Sequence, residues 1–207
     1  MVLTWLAGVQ GVTTGCGTVA YLRKGSMPDA AASLEQAKSA PDPVQGVIQY
    51  AGTAHMRALA EHAKVVMPLS VAQILLSLLL VAASAMVLAG RPNSRSFALQ
   101  VLLANAILAI VSYAATREVR EAWIQATVQA ADELLSDGAP ENPLSDLFQM
   151  HELAKPRFWY AIEQLKLAFF ELGVLAIATL AVASKRTRAF LDAVARAEER
   201  FGREDEP

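Results

Sequence analysis

The side chain in this sequence best placed to do chemistry is Glu171. It stands inside Leu167–Ser184, a run that is otherwise uncharged and apolar. A carboxylate in hydrocarbon is costly, so such a residue pairs, reaches an interface, or marks a proton or ion path. Gln73, Asn105 and Ser112 are further polar residues inside apolar runs. Their hydrogen bonds serve chiefly to join helices; only on a shared face with Glu171 would they line a polar path.

Histidines supply the second chemistry. His55 and His62 lie seven residues apart on one apolar stripe, about 10 Å along a helix. That is too far for one metal ion, but a packed pair would charge near pH 6 and sense acidity. His151-Glu152 opens like a zinc-protease helix, but Lys155 stands where the second histidine is needed. Gly15-Cys16-Gly17-Thr18-Val19-Ala20 has the spacing of a dinucleotide fingerprint, yet no strand precedes it. Cys16 is the only cysteine, so no internal disulfide forms. No Ser/His/Asp set and no phosphate loop occurs. The expectation is a protein that is not an enzyme and uses no cofactor or metal.

The elements that would position these residues are helices. Hydrophobic residues make up 54% of the 207 and charged residues 18%, where soluble domains sit nearer 45–50% and 25%. The excess lies in three blocks at 67–89, 97–116 and 167–184. About 20 apolar residues cross a hydrocarbon core of roughly 30 Å. A fourth block, 4–22, is uncharged but rich in Gly and Thr, with Trp5 and Tyr21 near its ends. It reads as a retained span rather than a cleaved signal peptide, because no basic residue precedes its apolar run. Within it Ala7, Gly11 and Gly15 recur every four residues, a spacing that lets helix backbones approach closely.

The fold class expected is all-α: a polytopic membrane bundle of four spans with a helical extramembrane subdomain formed by 27–66 and 117–166. The whole chain, 1–207, is one membrane domain with a helical tail at 185–207. In 44–66 the stripe Ile48, Gly52, His55, Leu59, His62, Val66 marks one helix face. In 117–136 the stripe is Val119, Trp123, Ala126, Ala130, Leu134, with no breaker before it, so one helix is expected from Phe97 to about Asp137. Asp137–Pro143 reads as a turn, and Ser145 as the cap of a short helix. Pro68 fits an early helical position or a kink.

The formal charge of −2 excludes a general nucleic-acid binder. Loop 90–96 and the tail carry eight Lys/Arg in about 30 residues, against ten in about 95 for the other side. That density places the short loop and the tail in the cytoplasm of a bacterial inner-membrane protein. Partners expected are the lipid bilayer and further copies or a larger membrane complex. The function expected is that of a non-enzymatic subunit or scaffold. A small transporter or channel using Glu171, and a sensor whose outer helices read pH, are the alternatives.

Overall fold

The computed structural model describes residues 2–91, 94–136 and 152–204. Every regular element among them is helical. In order these are α1 (Val2–Lys24), α2 (Ala30–Lys38), α3 (Pro43–Glu61), α4 (Ala63–Leu88), α5 (Ser94–Ala115), α6 (Arg117–Ser136), α7 (Pro156–Leu165), α8 (Val174–Ala183) and α9 (Lys185–Glu204). Between α7 and α8, Lys166–Gly173 winds as a π-helix, so Pro156–Ala183 is one helical run. The turn expected at 137–143, Ser145 and His151 lie outside the described residues.

Local chemistry sets the boundaries. Asp29 caps α2 by accepting from the Ala31 amide at 3.1 Å, and Asp42 caps α3 by accepting from the Val44 amide at 2.9 Å. Pro43 and Pro156 open their helices, where a missing N–H costs nothing. α4 ends in a Schellman turn: the Arg91 amide donates to the Met86 carbonyl and the Gly90 amide to the Val87 carbonyl. Gly90 takes the positive φ, 70°, that this turn requires. Pro68 lies inside α4 rather than at its start. The helix expected from Phe97 onward is interrupted at Thr116. There the Arg120 guanidinium donates to the Tyr113 carbonyl, the acceptor that a regular helix would offer to the Arg117 amide.

Among the described residues, three helices are long and apolar enough to cross a membrane: α4, α5 and the run Pro156–Ala183. α1 is helical over 23 residues but is not among them, because its glycines and threonines dilute its hydropathy.

The chain separates into two compact units. Unit 1 comprises Met1–Val19, Pro68–Ser112 and Leu167–Pro207; unit 2 comprises Ala20–Met67 and Tyr113–Lys166. The core of unit 1 joins Leu80, Ala83 and Val87 of α4 to Ala98, Val101 and Leu102 of α5 and Leu175, Ala178 and Val182 of α8. Its outer surface is as apolar as this core, with Leu75, Leu103, Ile107, Ile110, Ile177 and Leu180 all more than half exposed. Only 28%, 17% and 12% of the apolar stretches of the three long helices is buried. In a soluble protein, helices apolar all round are enclosed.

Unit 2 has the ordinary arrangement. Val47, Ala51, Ala54 and Ala58 of α3 meet Val119, Trp123, Ile124, Ala131 and Leu134 of α6, closed by Leu153 and Trp159. The buried stripe of α3 is thus one residue round from the expected one. Ile48 is 58% exposed and Gly52 faces open space. Small alanines line the contact because α3 and α6 pack closely over most of their length. Gly46 extends this closeness to α2, since a Cβ there would come within 2.5 Å of the Ala37 carbonyl oxygen.

Candidate functional sites

In unit 2, α3 and α6 place an imidazole against a chain of aromatic rings. The His55 ring meets Trp123 edge-on, centroids 5.6 Å apart at 88°. Trp123 meets Trp159 at 5.7 Å, and Trp159 meets Phe158 at 5.6 Å, both edge to face. The Trp159 indole N–H donates to the Leu153 carbonyl at 2.9 Å, which fixes the ring. Burial holds the His55 imidazole below the usual histidine range, and the Lys166 charge adds to this while Glu163 opposes it.

His62 is in a different setting. It follows the last residue of α3, its Nδ1 lies 3.0 Å from the Ala58 carbonyl oxygen, and its Nε2 lies 3.7 Å from a Glu118 carboxylate oxygen. The two histidines therefore do not act as a pair. A cleft of about 210 Å³ in the same unit has Ser33, Tyr50, Thr53, Arg57 and Glu61 on its walls, and neither histidine lines it. It is smaller than the roughly 300–1,000 Å³ of small-molecule sites. Its main charges already bond each other, Arg57 Nε to a Glu61 oxygen at 2.8 Å.

In unit 1 the main feature is the seam between α1 and α4. Thr4, Gly8 and Gly15 are buried, and Gly11 lies between them on the same face. Opposite them run Ser70 and Ser77, and Ser84 follows seven residues on; all three are buried. A Cβ on Gly8 would meet Val81 Cγ2 at 2.8 Å, one on Gly15 would meet Ile74 Cγ1 at 2.6 Å, and one on Gly11 would overlap the Ser77 side chain. The helices are antiparallel, since Gly8 meets Val81 and Gly15 meets Ser70 and Ile74. Ala7 is half-buried beside this seam; the small residue that enters it is Gly8. A period of four selects Ala7, whereas heptad-type packing alternates steps of three and four and selects Gly8, Gly11 and Gly15.

The polar residues of the apolar runs disperse. The Asn105 amide donates to the Leu76 carbonyl across the α4–α5 contact at 3.3 Å, and to the Val101 carbonyl of its own helix at 2.9 Å. Gln73 and Glu171 are exposed on the outside of the unit, and Glu171 falls in the π-helical turn. These three do not share an interior face. One residue with no sequence signal beyond its charge is Arg120 of unit 2. It is only 8% exposed, with its guanidinium 3.7 Å above the Tyr113 ring centroid and 3.3 Å from the Thr116 hydroxyl. Such a cation gains from the aromatic face and from backbone oxygens together.

Among the described residues these features define an all-α protein with three helices of membrane-spanning length and hydropathy, compatible with a multi-pass membrane protein. Comparison of the chain with protein-family models, curated proteins and solved structures finds no match.

Proposed function

We propose that this chain is a non-enzymatic integral membrane protein that acts as a subunit or scaffold, with unit 1 in the bilayer and unit 2 outside it. The observation that carries this reading is the inverted polarity of unit 1. Its contacts include buried Ser70, Ser77, Ser84 and Thr4, while its exposed surface is leucine and isoleucine. Lipid-facing helices associate through small and hydroxyl residues in this way, because hydrocarbon offers no hydrophobic gain for burying leucine. α1 is the fourth span in this reading. Its 23 residues measure about 34 Å, and the contact of Gly8–Gly15 with Ser70–Val81 holds it alongside the apolar length of α4. Loop 90–96 and α9 then lie on the cytoplasmic side of a bacterial inner membrane, as their basic density favours.

The scaffold role is tested by purification from native membranes in mild detergent, with mass measurement and identification of co-eluting chains. A stoichiometric partner or a defined homo-oligomer supports it. A lone monomer at every detergent and concentration overturns it. The sensor reading has support from one observation, the buried imidazole on Trp123. It requires Trp123 fluorescence to change between pH 7 and 5, and His55→Gln to abolish that change. A flow path through Glu171 has less support, since Glu171 and Gln73 face outward.

A further inference from the structure

The tail helix α9 does not prolong the last apolar helix. Ser184 breaks the direction with an extended backbone, φ −61° and ψ 149°. Its hydroxyl then accepts from the Thr187 amide at 3.3 Å and so caps the new helix. The Thr187 hydroxyl in turn donates to the Ala181 carbonyl at 2.7 Å and fixes the bend. Two contacts organise this end of the bundle, and the second shows where α9 goes. Arg95, in the first turn of α5, donates to the Val182 and Ala183 carbonyls at the end of α8, 3.2 Å each. Ten residues past Ser184, Val194 sits against Gly90, so close that a Cβ on Gly90 would lie 2.8 Å from its Cγ1. Ten residues of helix measure about 15 Å. Continued along α8, Val194 would stand that far beyond the end of the bundle. Instead it meets the loop between α4 and α5, so α9 lies across that end of unit 1.

Its side chains sort by face. Thr187, Leu191 and Val194, at steps of four and three, are half-buried toward the unit. Phe190 lies one step round from this stripe and is 50% exposed. Lys185, Arg188 and Arg196 lie on the opposite side, and Arg186 flanks Phe190. With Arg91 and Arg95 of the adjoining loop, 90–96 and 185–204 hold eight basic residues against four acidic, and Glu198, Glu199 and Glu204 leave the start of α9 as its basic part. An apolar stripe with an exposed phenylalanine, rimmed by arginine, at the mouth of apolar helices fits the boundary between acyl chains and headgroups.

We infer that α9 is an interfacial helix that docks on anionic lipid headgroups of the leaflet around unit 1, with Phe190 in the acyl boundary and Arg186, Arg188 and Arg196 among the phosphates. The inference rests on the membrane reading of unit 1. A partner protein or a second copy over Phe190 is the competing occupant. Charge favours lipid: anionic headgroups surround every point of the rim, and a basic residue near such a surface contributes about fivefold to partition.

The test uses the full chain, with Cys16→Ser, in nanodiscs of phosphatidylcholine alone or with about 30% phosphatidylglycerol. A spin label is placed singly through Phe190→Cys, Asp192→Cys or Ile107→Cys, and its collisions with oxygen and with a water-soluble nickel chelate are compared. In anionic discs the label at 190 is expected to favour oxygen and the label at 192 nickel. Removing phosphatidylglycerol, or combining Arg186→Gln, Arg188→Gln and Arg196→Gln, should cut the oxygen preference at 190 by about fivefold or more. Water exposure at 190, with the label at 107 still in hydrocarbon, overturns the inference while leaving the membrane reading intact. Shielding of 190 from both reagents overturns it in favour of a protein occupant. An unchanged oxygen preference in the zwitterionic discs overturns the anionic specificity. Water exposure at 107 overturns the membrane reading and this inference with it.

Discussion

Ile107 in unit 1 and Ile48 in unit 2 are exposed to nearly the same degree, 54% and 58%. Their neighbours differ. Ile107 belongs to a continuous apolar surface with Leu103, Ile110 and Val111 on α5. Ile48 is an isolated apolar residue on a helix whose outer face also carries Gln49, Gly52 and Arg57. Single exposed apolar residues are ordinary on soluble surfaces, whereas a continuous apolar face needs a partner. Unit 2 therefore follows the rule of water, apolar in and charged out. Unit 1 carries leucine on both sides: serine and glycine join an aliphatic core in its contacts, and leucine and isoleucine continue over its outer surface.

The largest effect expected bears on unit 2 alone. Trp159→Ala removes the ring that closes its core and should cost about 3–5 kcal/mol. Limited proteolysis should then cut within 20–67 and 113–166, while the chain remains in the membrane pellet after alkaline extraction. Release from the pellet would show that unit 1 depends on unit 2 and would erase the contrast.

Next is the direct comparison. Ile107→Lys should oppose membrane insertion by about 2.5–3.5 kcal/mol, the cost of a charge near the centre of a span. Ile48→Lys should change stability by no more than about 0.5 kcal/mol. Equal effects in an insertion assay and a thermal melt would mean that both isoleucines face water.

A smaller effect isolates packing from insertion. Gly11→Leu adds apolar surface, so insertion should be unaffected, but the new side chain overlaps Ser77. Overpacking of this kind costs about 1–3 kcal/mol, to be read as a lower midpoint in detergent unfolding. Ala7→Leu, beside the seam, should cost less, and equal losses would displace Gly8, Gly11 and Gly15 from the contact. Asn105→Ala should be milder, about 0.6 kcal/mol, as hydrogen bonds between membrane helices average.

Acidity should also separate the two units. The His55 imidazole titrates lower in the folded unit than in the unfolded chain, so unfolding takes up a proton. Stability contributed by the neutral ring is complete above about pH 6.5 and declines as pH falls below it. The midpoint of unit 2 should drop from pH 7 to 5 and should drop less in His55→Gln. A pH response of the same size in that variant would assign it to other groups.

Much of this was legible from residue order. The three apolar blocks, the helical class and most of the α6 stripe follow from local composition and period. The face of α3 did not. The stripe through Ile48 and Leu59 carries the larger apolar side chains, yet the close approach to α6 selects the smaller Ala51, Ala54 and Ala58. The turn at Ser184 was also invisible, because a serine between two helical patterns reads as continuation until its extended backbone and its bond to Thr187 are seen.

The sequence by itself determined that the chain is helical and that three of its helices have membrane-spanning length and hydropathy. Those properties depend on runs of neighbours and on the length of a helical rise. Only the tertiary structure decided which glycines meet α4, that Asn105 bonds the Leu76 carbonyl, that Arg120 is enclosed against Tyr113, and that α9 folds back over Gly90. Each is a meeting of residues whose faces depend on how two helices cross, and no spacing along one chain contains that angle.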